Sequence, residues 1–253
     1  MCESTRRFES CPHRLRIIFF NVWHGLKWEG LEKFLSSQVG DTDAFCLVEI
    51  NPDLQKKLES LLKEFTPIYH KGVKTVYLNG ITEGRSIFIK KGINILDSGA
   101  IKIFETSEVD AGGFQYTFLE KAGKRFWLGN VHGMAMPGTK KDTTERLTQS
   151  QRIIKFLGGK EEPKIFGGDF NLNPDTKSIL LFEEAGYRNL IKEFGIKRTR
   201  NKLAWSEFGK NPDFVKQYFA DYAFVSKEVK VTGFEVPEVD FSDHLPLILD
   251  FEI

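Results

Sequence analysis

Lys164-Ile165-Phe166-Gly167-Gly168-Asp169-Phe170-Asn171-Leu172-Asn173-Pro174 is the stretch that decides how this chain is interpreted. It opens with a short apolar run typical of a buried strand, and two glycines connect that run to Asp169 and Asn171. Side chains two positions apart in an extended segment project to the same side. We therefore expect the Asp169 carboxylate and the Asn171 amide to face one pocket.

A helix is predicted to begin directly after this pocket. Asn173 has the chemistry of an N-cap and Pro174 that of a first helical residue, so the positive end of the helix would lie close by. A carboxylate, an amide and a helix N-terminus together suit a hard cation and a phosphate. The competing interpretation is an Asx-type turn whose polar side chains only terminate the strand, and this stretch alone leaves both open.

The composition indicates one large globular domain. The chain has 253 residues, 41% of them hydrophobic and 23 of them Phe, so it can bury a sizeable core. No stretch resembles a linker, and we expect a disordered tail at 1–13 followed by a single domain at 14–253. The net charge of +1 provides no overall field toward nucleic acid. The basic run 197–202 could still contact phosphates, although a solvated loop is the more common explanation of such a run.

The cysteines and the N-terminal segment bear on the cellular compartment. Cys2, Cys11 and Cys46 show no Cys-x-x-Cys spacing, which argues against a zinc site and a disulfide framework. Residues 1–13 lack the apolar run of a secretory signal, and no later stretch is long enough to span a membrane. We expect a cytoplasmic monomer without stable membrane insertion.

Apolar and alternating runs predict the elements of the rest of the chain. Strands are expected at 15–20, 44–48, 73–78, 85–90, 93–96, 114–119, 125–131, 221–226, 229–236 and 247–251. Helices are expected at 27–35, 51–65, 142–157 and 174–185, and 188–208 is expected to be an irregular basic connection. The short runs between 68 and 131 are separated by glycine-containing turns, which favours antiparallel sheet.

Polar residues stand at the ends of many of these apolar strands. They are Asn21, Glu49, His132, Asp169, Asn171, Asp221, Asp243 and His244. One such residue is usually a cap or a structural group, but their recurrence favours convergence on one edge of a sandwich. Four carboxylates and two histidines without a cysteine describe a site for Mg²⁺ or Mn²⁺, which suits the hydrolysis of a phosphate ester.

These residues resemble, in their order, the motifs of the endonuclease/exonuclease/phosphatase superfamily with the DNase I-like fold. The resemblance covers residues 15–253, and its most specific parts are Gly168-Asp169-Phe170-Asn171 and Ser242-Asp243-His244-Leu245-Pro246. It implies an α/β (α+β) fold, a four-layer α/β/β/α sandwich of two mixed, mainly antiparallel sheets. It also implies one metal-dependent site at the strand ends.

The resemblance further implies a role for each site residue. Glu49 would be the principal metal ligand, with Asn21 and Asp243 at the ion or one water away. The catalytic residues would be His132, Asp169, Asn171, Asp221 and His244, with Asp169 handling the attacking water and Asp221 supporting His244. Arg85, Asn171 and His132 would contact the substrate phosphate, although the resemblance leaves open whether Asn171 serves the phosphate or the metal. Arg146 and Gln149 match a helix that supports the site from behind.

Two positions depart from the family pattern. Val48 stands where many members have Gln before the metal-binding Glu, a change that we expect to affect only support of that Glu. The segment Val22-Trp23-His24-Gly25-Leu26 lacks the Asn or Asp that DNA-repair members carry two residues after Asn21. The second departure counts against an abasic-site endonuclease.

Three functions are compatible with these residues. The leading hypothesis is a Mg²⁺- or Mn²⁺-dependent phosphodiesterase acting as a nuclease on DNA or RNA, with 197–202 and Trp205 as candidate contacts. The alternative is a phosphatase or phosphodiesterase on a phospholipid, inositol phosphate or other small phosphorylated substrate. The loop 134–137 is the only candidate membrane contact for the lipid version. An inactive binding module is the third, and the complete motif set argues against it.

Overall fold

The computed structural model describes residues 14–72, 80, 82–105, 112–208 and 216–253. Its strands are β1 (Arg14–Asn21), β2 (Ala44–Ile50), β3 (Phe65–His70), β4 (Gly84–Lys90), β5 (Asn94–Ile101), β6 (Gly113–Lys121), β7 (Lys124–His132), β8 (Lys164–Asp169), β9 (Arg188–Asn189), β10 (Asp221–Val225), β11 (Lys230–Glu235) and β12 (Leu247–Glu252). Its α-helices are α1 (Trp28–Gln38), α2 (Pro52–Leu61), α3 (Thr144–Gly158), α4 (Lys177–Glu184), α5 (Leu190–Glu193) and α6 (Lys202–Phe208). A 3₁₀ turn lies at Trp23–Gly25.

The strands form two six-stranded sheets. Their orders are β11-β12-β1-β2-β4-β3 and β5-β6-β7-β8-β10-β9. Each sheet contains one parallel pair, β1 with β2 and β7 with β8, and its other pairs are antiparallel. Both sheets are therefore mixed and mainly antiparallel, as predicted.

The alternation of β1 shows why the molecule is layered. Its residues Ile17 and Phe19 belong to the core between the sheets, whereas Ile18 and Phe20 belong to a second core with α1 and α2. This period of two is what a strand buried on both faces requires. Helices α3 and α4 pack their apolar residues on the outer face of the second sheet. The order of layers is helices, sheet, sheet, helices, which confirms the predicted four-layer sandwich.

Gly167 of the central stretch is needed for the two sheets to meet. A Cβ atom at this position would lie 2.9 Å from the ring of Phe19 in the opposite sheet and 2.8 Å from the Tyr222 carbonyl oxygen. Because real Cβ atoms do not approach so closely, only glycine allows this contact. Gly167, the first glycine of the motif, therefore allows β8 to pack closely against Phe19 of the opposite sheet.

Three predicted elements differ from the structure in their bounds or content. The helix expected at 51–65 is present but ends at Leu61, and β3 begins at Phe65. The helix expected to begin at Pro174 begins at Lys177, because the carboxylate of Asp142 accepts hydrogen bonds from the backbone N–H groups of Lys177 and Ser178. The connection expected to be irregular at 188–208 contains β9, α5 and α6.

Some expectations fall on parts of the chain that the structure does not describe. The strand predicted at 73–78 and the tail 1–13, with Cys2 and Cys11, lie outside the described residues. Cys46 is a buried free thiol. No helix within the described ranges has the length and apolar character needed to cross a membrane.

Candidate active site

The register of the second sheet places three predicted site residues side by side. Asp169 pairs with Asp221 of β10 on one side and with His132 of β7 on the other. From the first sheet, Asn21 ends β1 and its Nδ2 donates to Glu49 Oε1 (2.7 Å) and to Asp169 Oδ2 (3.0 Å). One amide thus joins strand ends of both sheets, and the site lies where the two sheets meet.

Asp169 and Asn171 meet by a turn and not by the extended geometry that we expected. The strand stops at Asp169, and Asn171 has a φ of 56°. The backbone N–H of Asn171 donates to Asp169 Oδ1 at 2.8 Å, which is the contact of an Asx turn. The same carboxylate presents its other oxygen to Asn21, so the capping and functional interpretations of this stretch both apply.

A bulge directs Glu49 into the site. The pairing of β2 with β4 shifts between Val48 and Ile50, and Glu49 itself has a φ of 60°. Bulges of this kind turn a side chain out of the ladder. Burial, together with repulsion from Asp243, raises the pKa of Glu49 to about 7. A cation is the natural partner for a buried carboxylate whose neighbour carries the same charge.

His244 is held by Asp221 as a charged imidazolium. Its Nδ1 lies 2.9 and 3.1 Å from the two oxygens of Asp221, and its Nε2 lies 3.7 Å from Asp169 Oδ2. Although burial lowers the pKa of His244, the Asp221, Asp243 and Asp169 carboxylates raise it to about 9. For Asp169, burial raises the pKa, but His244 and Lys140 lower it to about 2. Both groups are therefore ionised at neutral pH.

His132 has the opposite electrostatic environment. Its Nδ1 lies 3.4 Å from Glu83 Oε1 and its Nε2 lies 3.9 Å from Glu49 Oε1. Burial, with a further contribution from Arg85, lowers the pKa of His132 to about 4, so its imidazole is neutral at pH 7. The two histidines of the site consequently offer different chemistry, one a cation and the other a neutral donor or ligand.

Arg85 lies beside this neutral histidine. It is buried in β4, and burial lowers its pKa to about 10, which leaves it charged. A Cβ atom on Gly113 would come within 2.2 Å of Arg85 Nη2, and Gly113 pairs with His132. The absence of a side chain at Gly113 therefore makes the space that the guanidinium fills.

Four residues that the sequence analysis did not assign also belong to this region. His24 Nε2 lies 3.2 Å from Glu49 Oε2, Glu83 contacts His132, and Arg200 Nη2 lies 2.8 Å from Asp243 Oδ2. The fourth, Lys140, donates from its buried Nζ to Asn171 Oδ1. His24 stands in the segment that departs from the family pattern and Arg200 in the basic run 197–202, whereas no sequence signal distinguishes Glu83 or Lys140.

The residues present fit a divalent cation. Oδ1 of Asp243 is buried and has no hydrogen-bond partner among the described groups. Three overlapping groups of residues each have ligand atoms that lie within 4.8 Å of one another. The groups are His24 with Glu49 and Glu83, then Glu49 with His132 and Asp169, and finally Asp169 with Asp221 and His244. Asn21 uses its Oδ1 to accept from the Trp23 N–H, so in this structure it orients the carboxylates around it. Carboxylate oxygens and imidazole nitrogens without thiolates suit Mg²⁺ or Mn²⁺.

Left-handed backbone is concentrated at this site. Among the described residues other than glycine, six have positive φ, and they are Trp23, His24, Glu49, Ala122, Lys140 and Asn171. All but Ala122 lie in or beside the site. Such conformations cost free energy and persist only where the surrounding structure imposes them.

Helix α3 supports the site from behind, as the sequence predicted. The guanidinium of fully buried Arg146 donates to the carbonyl oxygens of Met134, Ala135, Pro137 and Lys141. Gln149 accepts from the Met134 N–H through its Oε1. Together they fix the loop 133–143 that carries Lys140.

Comparison with known proteins agrees with this geometry. The chain matches the model of the Endonuclease/Exonuclease/phosphatase family over residues 18–244. No curated protein sequence matches it. Among solved structures it resembles the mannosyl-6-phosphatase Bt3783 of Bacteroides thetaiotaomicron VPI-5482, with 18% identity, 94% of this chain and 100% of that chain covered, and a TM-score of 0.72.

Two further structures share the fold. The human Nocturnin catalytic domain with bound sulfate has 19% identity, with 95% of this chain and 93% of that chain covered and a TM-score of 0.71. D. rerio TDP2 complexed with single strand DNA product has 18% identity, with 95% and 99% covered and a TM-score of 0.74. With the family model spanning nearly the whole chain, the protein belongs to the endonuclease/exonuclease/phosphatase family and is a hydrolase of phosphate esters.

Proposed function

We propose that this protein is a divalent-metal-dependent phosphodiesterase. The observation that carries the proposal is the meeting of Glu49, Asp169 and His244 across two sheets, beside a buried Asp243 oxygen that lacks a partner. Glu49 and Asp243 would hold the ion. Mg²⁺ or Mn²⁺ bound there supplies positive charge to the phosphate oxygens and lowers the pKa of a coordinated water.

The chain's own residues complete the reaction. His244, kept charged by Asp221, stabilises the negative charge that develops on the phosphoryl group. Asp169 remains ionised because its pKa is about 2, so it is a weak base and a strong hydrogen-bond acceptor. We infer that Asp169 orients the attacking water, and that Arg85 and His132 bind the phosphate.

Nucleic acid is the first substrate class that we propose. Of the cations in 197–202, Lys197 and Lys202 form no ion pair with any residue that the structure describes. They remain available to phosphates of a polymer. A structural neighbour, D. rerio TDP2, is complexed with single strand DNA product, which supports the same class.

A small phosphorylated substrate is the second candidate, and a specific observation favours it. Arg198 pairs with Glu238 and Arg200 pairs with Asp243, both at 2.8 Å, so half of the cations of this run are neutralised. Trp205 packs against Tyr218 and is not fully exposed for base stacking. A weakly basic surface suits a substrate with one phosphate better than a long polyanion.

A hydrolysis panel tests both versions. The purified chain is incubated with Mg²⁺, Mn²⁺ or EDTA and single- and double-stranded DNA, RNA, bis(p-nitrophenyl) phosphate, p-nitrophenyl phosphate, mannose 6-phosphate, inositol phosphates and sphingomyelin. We expect cleavage that EDTA abolishes and that Asp169→Asn lowers at least about 100-fold. Asp175→Asn, an exposed carboxylate six residues further on, is the matched control and should be fully active. Absence of metal-dependent cleavage of every substrate would overturn the proposal.

A further inference from the structure

Lys140 is a buried cation that the proposed reaction does not yet use. It lies on the loop between β7 and α3, is 5% exposed, and has a φ of 54°. Lysine is almost never buried without a partner, because its ammonium group loses hydration there. Its Nζ donates to Asn171 Oδ1, and its carbonyl oxygen accepts from the Asn173 N–H at 2.8 Å. Both its side chain and its backbone therefore bind the segment that follows β8.

The ammonium determines which way the Asn171 amide points. Because Lys140 has only donors, the amide must present its oxygen to it. The amide nitrogen then lies toward Gly133, to whose carbonyl oxygen Nδ2 donates at 3.2 Å. The ammonium group beside the amide oxygen repels a second cation from it. Of the two N–H groups of Nδ2 one donates to Gly133, so one N–H is left to offer to the site.

We infer that Lys140 is a positioning residue that fixes Asn171 as a hydrogen-bond donor to the substrate phosphate and prevents its oxygen from coordinating the metal ion. This inference rests on the proposed phosphodiesterase function. The resemblance to the family leaves the donor and ligand roles of this Asn open. The contact with Lys140 distinguishes between them.

The charges around Lys140 argue for a role in catalysis and against simple structural support. Burial and the nearby Arg200 lower its pKa to about 8, whereas Asp169 and Asp221 attract it. A neutral side chain of similar length would fill the same space without this electrostatic cost. The ammonium group therefore acts on Asn171 through a hydrogen bond and on Asp169 through its charge.

A double-mutant cycle tests the inference by activity. On the best substrate of the panel, Lys140→Met is expected to lower kcat about 10- to 100-fold with a smaller change in KM, because a misplaced donor acts mainly in the transition state. If Lys140 acts through Asn171, then Lys140→Met combined with Asn171→Ala loses no more activity than Asn171→Ala alone. Lys141→Met, the exposed neighbour, is the matched control and should change neither constant.

Thermal unfolding and metal binding provide readouts that do not depend on turnover. Lys140→Met should keep or raise the Tm, whereas a structural tether would lower it. Without the ammonium, the amide oxygen becomes available, so Mn²⁺ should bind Lys140→Met about tenfold tighter or with one additional ion, and Asn171→Ala should abolish that gain.

The outcomes separate this inference from the proposed function. An inactive wild type would overturn the proposed function, while the Mn²⁺ titration would still test Lys140. An active wild type with unchanged kcat and Mn²⁺ binding in Lys140→Met would overturn the inference alone. Activity losses that multiply in the double mutant would also overturn it, because Lys140 would then act independently of Asn171.

Discussion

The raised pKa of Glu49 makes a quantitative prediction about ion binding. Because burial and repulsion from Asp243 place this pKa at about 7, the carboxyl group of the free protein holds a proton over much of the neutral range. An ion requires the carboxylate, so each ion that binds must displace that proton. From the titration of one group, about 0.9 proton should be released per ion at pH 6 and about 0.5 at pH 7.

The affinity should follow the same titration. Below pH 7 the apparent Kd should rise about tenfold for each unit of pH, which corresponds to about 1.4 kcal/mol. His132 contributes no proton at pH 6, because burial lowers its pKa to about 4. Burial also lowers the pKa of His24 from its ordinary value. His244 stays protonated at both pH values because its pKa is about 9. A Glu49 variant is therefore needed to attribute the released proton to this residue.

Isothermal titration with Mn²⁺ measures both quantities. Repeating each titration in two buffers of different ionisation enthalpy gives the number of protons released per ion. Glu49→Gln should abolish the release together with most of the affinity, and Glu59→Gln, an exposed Glu on α2, should behave as wild type. If the proton release is near zero at pH 6, or equal at pH 6 and 7, then the ion does not displace a proton from Glu49.

Three further predictions concern stability and geometry. The folded-state pKa of His244 is raised from 6.5 to about 9, so its stabilisation is complete below pH 6.5 and is lost as the pH rises through 9. Urea unfolding should show a decrease of about 3 kcal/mol that is absent in His244→Gln, and a decrease that persists in this variant would contradict the assignment. Arg146→Met should lower the free energy of unfolding by about 3 to 5 kcal/mol by leaving buried carbonyl groups unpaired, whereas Arg152→Met, partly exposed on the same helix, should change it by less than about 1 kcal/mol. Gly113→Ala should displace the Arg85 guanidinium, so that KM rises while the Tm changes little. An unchanged KM would argue against a substrate contact by Arg85.

Most strands could be predicted because each carries its own signal. The apolar runs of β1, β2 and β8 reflect burial on both faces, and burial constrains every residue of such a strand. The polar residues that end them were found for the same reason, because a change from apolar to polar marks the end of the buried segment. The positions and partners of those strands follow from the family resemblance and not from the runs.

The sequence Asn-Pro-Asp occurs at 51–53 and at 173–175, and these two segments show where local signals fail. At Asn51 the side chain accepts from the N–H groups of Asp53 and Leu54, and α2 begins as predicted. At Asn173 the same three residues form a turn. The helix begins at Lys177, three residues after the predicted start at Pro174, because Asp142 supplies the cap. Asp142 is distant in sequence, so no pattern within the segment could reveal the difference.

Two cationic residues of the site, Lys140 and Arg200, were missed for a related reason. Lys140 stands among Pro, Gly and Thr residues typical of a flexible loop, and only its contact with Asn171 shows that it is buried. Arg200 belongs to the basic run 197–202, for which the sequence leaves a phosphate contact and a solvated loop both open, and only the structure shows its pairing with Asp243. Burial of a charge depends on the partner that the fold brings to it, and the sequence around the charge does not encode that partner.

The left-handed residues of the site have a consequence for any attempt to make this enzyme more heat-resistant. Each of these positions holds a side chain on backbone that glycine would adopt without penalty, and exchange for glycine relieves a strain of about 1 kcal/mol. Selection for survival at high temperature would therefore favour changes at His24, Glu49 and Asn171, three residues of the candidate site. In this protein the most durable variants and the fastest ones should be different molecules.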